Sequence, residues 1–274
     1  MTKQKWHNVL FFILMCLVLF VYLIPVFFQV ITAFKADKEI TLLGFRWLPE
    51  TLRFDAYVNA WKMANWPQAF MNSVVMTISV IVVCLSINLL AGYAFARLHF
   101  RGSDVLFIIL LMGLMIPAQS IIIPQFIIVR GMGLYDTIWG SAICYLSAPM
   151  GVFLAKQFYL TFPKELDEAA ALDGCSKFGT YIRVYLPLST TIIATLTITK
   201  GTQVWNDFFY PLIMTTSQRN NTLQLCLQLF KGSSTTHFNW LMAAATAASL
   251  PMVILYFSAQ KYFVEGLQTT GMKN

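Results

Sequence analysis

The stretch that decides the fold is FPKELDEAAALDGCSKFGTYIRVYLP, residues 162–187, a polar interruption between two very apolar halves of the chain. Pro163 suits the first turn of a helix, where its missing N–H is not needed, and acidic residues follow where the helix dipole favours negative charge. Small alanines continue the helix until Asp173 and Gly174 supply a turn. These features predict a surface helix over residues 164–172.

A second short helix is predicted over residues 176–185. Four apolar side chains recur there at the i, i+3, i+4 and i+7 spacing of one helix face, and Lys177 and Arg183 lie opposite them. These four are Phe178, Tyr181, Ile182 and Tyr185. Pro187 ends the helix as the next apolar run begins.

The composition indicates an integral membrane protein. The chain has 274 residues, of which 58% are hydrophobic and 11% charged, and its mean hydropathy is +0.65. Soluble domains carry about a quarter charged residues. The net charge of +7 comes from basic residues scattered singly, without aromatic-basic alternation, so we expect contact with membrane lipid and none with nucleic acid. The five cysteines show no metal-binding spacing.

Membrane-spanning helices need about 20 apolar residues. Six stretches meet or nearly meet this length, at residues 9–34, 70–96, 105–129, 138–159, 188–205 and 240–263. The fourth is interrupted by Gly140, Pro149 and Gly151, and a threonine-rich face dilutes the fifth. No internal repeat or linker divides the chain. We therefore expect an all-α membrane protein in which residues 1–274 form a single six-helix domain.

The orientation follows from the distribution of positive charge. An even number of spans places both termini on one side of the membrane. If that side is the cytoplasm, the inner segments carry ten basic residues and the longer outer segments carry eight, which agrees weakly with the positive-inside rule. The first apolar run is too long for a signal peptide and is expected to be retained.

Several kinds of chemistry have no motif in this sequence. A G-x-x-x-x-G-K-[ST] phosphate loop is missing, so any ATP hydrolysis would occur in another polypeptide. There is no H-E-x-x-H zinc motif and no G-x-S-x-G nucleophile motif. We expect no catalytic residue, no cofactor and no metal site, and we interpret His7, His99 and His237 as ordinary interface histidines.

At residues 168–187 the sequence resembles a known family. Glu168-Ala169-Ala170, two further residues, Asp173-Gly174, nine further residues and then Val184-Tyr185-Leu186-Pro187 resemble the EAA motif of the membrane subunits of bacterial ABC importers. Only Val184, which replaces isoleucine, departs from it. The resemblance implies that residues 162–187 are a cytoplasmic coupling helix that docks on an ATPase, with Glu168 and Asp173 as polar members and Gly174 as the turn. The alternative is an ordinary amphipathic surface helix.

Other segments are similar to carbohydrate permeases of the maltose-importer (MalG-like) type. They are Asn72-Ser73, the Tyr93–Arg97 segment, Trp205-Asn206-Asp207-Phe208 with Pro211-Leu212, and the tail from Gly266 to Lys273. This resemblance implies a MetI-like fold in the bacterial inner membrane. It also implies three partners: a second permease subunit, a dimeric cytoplasmic ATPase and an extracytoplasmic solute-binding protein. Gly271 and Lys273 would reach between the ATPase subunits, unless the tail is disordered.

Ionisable and polar residues within spans are costly and therefore indicate function. Lys200 follows Pro187 by thirteen residues, roughly 20 Å along a helix at about 1.5 Å per residue. It either extends outward to the membrane interface or faces the transport pathway and binds a sugar. Gln119 lies between Pro117 and Pro124, which either break the third span to line a cavity or merely kink it. Asn206, Asp207 and Tyr210 are expected near the outer mouth.

Two alternative functions remain open at this point. A permease for amino acids or peptides would also carry an EAA loop. An ion-coupled secondary transporter would be expected to show buried carboxylates or a repeated half-structure, and neither is evident in the sequence.

Overall fold

The computed structural model describes residues 2–41, 46–63, 65–230 and 237–271, with side chains described between residues 6 and 261 of these ranges. Within them the regular elements are helices, and no strand occurs. In chain order they are α1 (Thr2–Thr32), α2 (Asp37–Thr41), α3 (Asp55–Met63), α4 (Trp66–Arg97), α5 (Ser103–Met112), α6 (Ile122–Gly131), α7 (Ile138–Ile143), α8 (Pro149–Leu160), α9 (Glu165–Leu172), α10 (Lys177–Thr180), α11 (Thr190–Trp205), α12 (Phe209–Met214), α13 (Leu223–Gln228) and α14 (Phe238–Gly271).

The chain divides into two compact units. The first contains Met1–Pro67 and Cys226–Leu250, and the second contains Gln68–Leu225 and Pro251–Asn274. In the first unit, Trp6–Thr32 of α1 is long and apolar enough to span a membrane, and its most apolar window is 0% buried within the chain. An apolar helix with its side chains outward is what a lipid environment permits.

The second unit is built on a close crossing of α4 and α8. A Cβ atom added to Gly92 of α4 would lie only 2.4 Å from the Cβ of Ala155 on α8. A Cβ added to Gly151 would lie 2.1 Å from Nδ2 of Asn88. Small residues let helix backbones approach this closely, which is how helices gain packing energy in a membrane. The two glycines therefore set the distance between α4 and α8.

Helix α4 joins two hydrophobic cores of the second unit. Toward its N-terminus, Met76 and Val80 are buried with Tyr145 and Met214. Toward its C-terminus, Tyr93 is buried in a separate core with residues of α8 and of the segment that follows α10. Each half of α4 is therefore anchored in a packed core.

Three described helices are single candidate membrane spans: Trp6–Thr32, Trp66–Arg97 and Phe238–Lys261. Two further helix pairs qualify only when each is taken as one bent span. Ser103–Met115 and Ala118–Gly131 meet at 97°, and Lys177–Tyr185 and Pro187–Trp205 meet at 47°. These five cover the first, second, third, fifth and sixth predicted spans.

Pro117 accounts for the sharp bend in the third predicted span. Proline disfavours a helical conformation in the residue before it, and Ile116 is extended, with φ −90° and ψ 115°. Pro124 behaves differently, because it lies in the first turn of α6, where a missing N–H is tolerated. The structure therefore has a break at Pro117 and a continuous helix at Pro124.

The fourth predicted span, residues 138–159, is divided between α7 and α8. Thr137 starts α7 by accepting a hydrogen bond from the backbone N–H of Gly140 at 3.1 Å. Pro149 occupies the first turn of α8. The five residues between the helices have no regular helical structure, which follows from the glycine and proline interruptions noted in the sequence.

Asp136 connects the loop between α6 and α7 to the segment after α12. Its carboxylate accepts hydrogen bonds from the backbone N–H groups of Thr216 and Ser217, both at 2.8 Å, and from the Ser217 hydroxyl. Its own N–H donates to the Met214 carbonyl at 2.9 Å. The donors from Ser217 and Thr216 hold the pKa of Asp136 well below its usual range. This carboxylate therefore stabilises the fold in its charged form.

We predict that Asp136→Asn lowers the thermal unfolding temperature of the detergent-solubilised protein by several degrees at pH 7, because the amide cannot accept all these bonds. A lowered pKa stabilises the fold above the ordinary value of about 3.9 and ceases to do so as the pH falls toward the lowered pKa. The difference from wild type should therefore shrink below about pH 4. The exposed Asp104 provides the matched control, Asp104→Asn. Equal unfolding temperatures at pH 7 would contradict the prediction.

Candidate functional site

Helix α9 is the central element of the 162–187 loop. Its first turn carries three carboxylates, and the N–H of Asp167 donates to the Lys164 carbonyl at 2.9 Å. Ala170 is the buried residue of the helix, at 3% exposure, whereas Leu172 is 89% exposed. The helix therefore packs on the protein through the side that contains Ala170, with Leu166 and Asp167 half-buried, and presents its other side outward.

A left-handed turn follows α9. Gly174 has φ +74°, and open space surrounds the position of an added Cβ, so the constraint is on the backbone and not on packing. The N–H of Cys175 closes the turn on the Ala170 carbonyl at 2.9 Å. Ser176 then starts α10 by accepting from the N–H of Gly179 at 3.1 Å. Gly174 thus allows the chain to reverse between the two short helices.

The second predicted helix, residues 176–185, consists of α10 and one π-helical turn over Tyr181–Tyr185. Tyr181 and Tyr185 are 5% and 0% exposed, whereas Phe178 and Ile182 are 62% and 42% exposed. The four residues predicted to form one apolar stripe are therefore divided between the core and the surface. The prediction assumed a regular α-helix. The wider π turn over Tyr181–Tyr185 changes the direction of its side chains relative to such a helix.

Five aromatic residues, which we call the tyrosine cluster, pack together where the loop meets α4 and α8: Tyr93, Tyr159, Phe162, Tyr181 and Tyr185. The ring centre of Tyr93 lies 5.1 Å from that of Tyr185 and 5.2 Å from that of Tyr181. Tyr159 meets Tyr185 edge to face, at 5.7 Å and 86°. Such contacts stabilise a packed core beyond simple area burial. The cluster joins α4, α8 and the loop into one body.

Arg97, the last residue of α4, makes three contacts with the loop. Its side chain is 6% exposed, and one guanidinium nitrogen lies 3.4 Å from a carboxylate oxygen of Asp167 on α9. It also donates to the Phe162 carbonyl, and its guanidinium carbon lies 5.2 Å from the centre of the Tyr185 ring. A buried arginine is stable only when it is paired and hydrogen-bonded. The loop supplies each of these partners.

Two hydroxyl groups add polar connections around the tyrosine cluster. Tyr93 donates to the carbonyl of Lys177 in α10 at 3.0 Å. The Ser189 hydroxyl lies 2.9 Å from the Tyr159 hydroxyl and 2.6 Å from the Tyr185 carbonyl. Ser189 is 0% exposed and lies at the start of α11. The loop is therefore hydrogen-bonded to the elements on both sides of it.

The outward surface of the loop contains four of the eight predicted coupling residues. Glu168, Ala169, Asp173 and Gly174 are exposed, whereas Ala170 faces the protein. We call the exposed set, together with Leu172 and Phe178, the docking face. Exposed apolar side chains beside carboxylates are typical of a surface that another protein covers.

Three other predicted coupling residues lie elsewhere. Pro187 is exposed and starts the 3-10 turn at the 47° bend before α11. Gly271 is the last residue of α14. Lys273 lies outside the described residues.

The five predicted pathway residues do not form one cluster. Gln119 is exposed on the 3-10 turn Ala118–Ile121, and Asn206 ends α11. Asp207 caps α12, because its carboxylate accepts from the N–H groups of Phe209 and Tyr210 at 3.0 and 3.1 Å.

Tyr210 belongs to the hydrophobic core near the start of α4. It is 8% exposed, and its ring lies 5.0 Å from that of Tyr145 in an edge-to-face contact. The Tyr145 hydroxyl in turn donates to Asp207. In the structure Asp207 and Tyr210 therefore make structural contacts, and a role in the pathway stays a prediction for both.

Lys200 lies in the wall of a cavity of about 250 Å³. Its ammonium donates to Oε1 of Gln203 at 2.9 Å, one turn toward the C-terminal end of α11. The side chain thus lines the cavity and extends along the helix at the same time. Asn88, Thr199 and Gln203 line the same cavity.

Asn88, Gln203 and the contacts of Arg97 were not among the residues and contacts predicted from the sequence. One signal was available: Asn88 is a strongly polar residue within the long apolar run of α4, and such residues commonly mark a pathway or a packing contact. The partners of Arg97 lie 65 and more residues away in sequence, so no spacing rule connects them. In the described parts of the chain, no three His, Cys, Asp or Glu side chains are grouped to hold a metal ion.

Comparison with known proteins identifies the family. Residues 88–269, more than half of the chain, match the family described as binding-protein-dependent transport system inner membrane component. The chain is 31% identical to the probable ABC transporter permease protein YurM of Bacillus subtilis, over 99% of this chain and 91% of YurM. It is 28% identical to the arabinooligosaccharides transport system permease protein AraQ of Bacillus subtilis, over 96% of this chain and 94% of AraQ.

A solved structure shares the fold. It is the crystal structure of a bacterial ABC transporter involved in the import of the acidic polysaccharide alginate. The TM-score is 0.84 and the identity 20%, over 96% of this chain and 98% of that chain. The predicted all-α permease fold is confirmed by this match. The matched family and relatives are described as transport components. The chain therefore belongs to the family of inner membrane components of binding-protein-dependent transport systems, and it is a transport permease.

Proposed function

We propose that this permease serves an ATP-driven importer for a carbohydrate and forms half of its translocation pathway. The observation that carries the proposal is the docking face, an exposed helix surface held on a rigid base inside a transport permease. The name of AraQ supports an oligosaccharide as the substrate class. The segment from Trp205 to Leu212 and the C-terminal tail, which resemble carbohydrate permeases, support the same class.

The proposal includes three partners and an orientation. Because the chain has no phosphate loop, a separate dimeric ATPase supplies the energy. A solute-binding protein delivers the substrate, which agrees with the description of the family. A second permease subunit forms the other half of the pathway. Residues 1–274 are one domain of six crossings in the bacterial inner membrane, with both termini and the 162–187 loop in the cytoplasm.

The docking face suits contact with a protein. Ala169 and Gly174 have no side chain that would hold a partner away from the backbone, while Glu168 and Asp173 offer carboxylates to basic groups. Leu172, at 89% exposure, provides an apolar anchor. Closure of an ATPase dimer bound here would pull on α9.

Displacement of α9 is transmitted by the contacts beneath it. Arg97 connects Asp167 to the end of α4, and the tyrosine cluster connects the loop to α4 and α8. Because packed interiors deform little, these elements move together and do not slide past one another. The long α4 then carries the motion toward the core at its other end. In this mechanism the coupling is mechanical.

Lys200 and Gln119 remain our proposed pathway residues, with Asn206 near the outer mouth. Asp207 and Tyr210 act by holding α12 in place beside them. The cavity at Lys200 supports a contact with the substrate there.

Uptake measurements distinguish this proposal from a permease for amino acids or peptides. We expect deletion of the gene to abolish uptake of at least one of radiolabelled arabinotriose, maltotriose and digalacturonate, and to leave uptake of glutamine and a tripeptide unchanged. Loss of only amino-acid or peptide uptake would contradict the proposed substrate class. Uptake that survives ATP depletion with the membrane potential intact would favour an ion-coupled transporter instead.

Gly174→Asp tests the docking face directly. Open space around Gly174 means that the new carboxylate does not clash within this chain, but it places a side chain where the bare backbone would let the ATPase approach. We expect membrane insertion to be normal and ATP hydrolysis stimulated by the binding protein to fall at least tenfold, a loss of about 1.4 kcal/mol of coupling. Gly133→Asp is the matched control, because Gly133 has φ +71° and equally open surroundings in the loop before α7. Retained stimulation in Gly174→Asp would count against docking at this face.

Arg97→Ala tests transmission through the base of the loop. The change leaves Asp167 and the Phe162 carbonyl without their donor, at a cost of about 1.5–3 kcal/mol for hydrogen bonds to a charged group. We expect the ATPase to remain bound and to hydrolyse ATP while transport per ATP falls, because α9 then moves without α4. Arg101→Ala removes an exposed arginine nearby and should have no effect. Unchanged transport per ATP in Arg97→Ala would show that force passes by another route.

A further inference from the structure

The cavity beside Lys200 lies within the second unit. Helix α4 contributes Asn88, the segment before α8 contributes Ser147, and α11 contributes Thr199, Lys200 and Gln203. The rest of the lining is mostly apolar, including leucine side chains of α8 and α11. The cavity thus has a small number of polar groups on an apolar wall, the usual make-up of a ligand site.

The backbone around the cavity is irregular where it meets the lining. Ser147 lies in the interruption between α7 and α8, and non-helical backbone at membrane depth is stable where it lines a cavity. Gly151, on the first turn of α8, is packed so closely against Asn88 that an added Cβ would lie 2.1 Å from Nδ2. Asn88 is 3% exposed. Its amide is therefore held in position at the cavity wall by the neighbouring backbone.

The charge of Lys200 is incompletely compensated by the described side chains. Its ammonium donates to Oε1 of Gln203, a neutral acceptor, at 2.9 Å. Among the described residues no carboxylate oxygen forms an ion pair with it within 4.0 Å. The described lining contains no acidic residue either. A half-buried cation in such a site is stabilised by a negative ligand.

The donors and acceptors of the lining indicate the class of ligand. Asn88 and Gln203 each offer both a donor and an acceptor, which matches the hydroxyl groups of a sugar. Lys200 offers only donors and a positive charge, which matches a carboxylate and repels a sugar with a protonated amine. The cavity has a volume of about 250 Å³, and sites for drug-sized ligands have about 300–1,000 Å³. The cavity is therefore sized for a smaller ligand, such as one sugar ring.

We propose that this cavity is a subsite for one ring of a sugar that bears a carboxylate, with Lys200 binding the carboxylate and Asn88 and Gln203 binding ring hydroxyls. This proposal rests on the proposed function in carbohydrate import and deepens it. Lys200 then selects for acidic sugars after delivery by the binding protein, and does not serve only as an interface residue.

Two matched disaccharides test the subsite: digalacturonate and galactobiose, which differ in their carboxylates. Their dissociation constants are measured by calorimetry on the purified complex of permeases and ATPase in detergent, without the binding protein. We expect wild type to prefer digalacturonate by about tenfold or more, the effect of a charged hydrogen bond. Lys200→Met should remove this preference, Lys200→Arg should keep it, and Lys38→Met, at an exposed lysine, should leave it unchanged.

The proposed subsite is overturned if wild type binds the two sugars with equal affinity, or if it binds neither. This comparison uses wild type alone and so does not depend on the folding of a variant. A preference that survives Lys200→Met also overturns it. If the subsite fails while oligosaccharide uptake still requires the gene, carbohydrate import stands and only the acidic specificity falls. If no oligosaccharide uptake requires the gene, the proposed function itself fails.

Discussion

The structure of the second unit depends on how it accommodates one buried positive charge, that of Arg97. A guanidinium removed from water is costly unless it is paired and hydrogen-bonded. Here the partners of its two terminal nitrogens are Asp167 on α9 and the Phe162 carbonyl, and the guanidinium lies over the ring of Tyr185. Because the loop provides these contacts, removal of the loop would leave the charge at the end of α4 uncompensated. The charge therefore serves to attach a surface element to a membrane helix.

The rest of the second unit keeps this attachment rigid. Gly92 and Ala155 allow α4 and α8 to touch along their backbones, and the tyrosine cluster fills the space between these helices and the loop. Neither of these features takes part in a chemical reaction. Both reduce the freedom of the elements to move separately, which is what a mechanical connection requires. Ala170 and the two buried tyrosines, Tyr181 and Tyr185, pack on the side of the loop that faces the protein. The docking face lies on the other side and is therefore exposed.

Two neighbouring regions of α4 make different kinds of contact. At the C-terminal end the contacts are aromatic and charged, and they belong to the loop. Nine residues before Arg97, Asn88 lines a cavity that Lys200 also lines. A single long helix thus passes from the proposed site of energy input to the proposed site of substrate contact. Asp207 and Asp136 hold the segments around α12 in place through backbone N–H groups, and so provide a fixed frame on which a pathway can be built.

The sequence by itself determined the membrane class, the helical loop with its turn at Gly174, and the interruptions at Pro117 and Pro149. These are local properties, since apolar length, proline and a left-handed glycine act within a few residues. Only the tertiary structure decided that Pro124 does not break its helix, that Phe178 is exposed while Tyr181 is buried, and which groups surround Arg97 and Lys200. These outcomes depend on partners far away in sequence, such as Asp167 for Arg97 and Asn88 for the cavity of Lys200. Helix periodicity predicts on which face of a helix a residue lies, but it does not predict which residues pack against that face.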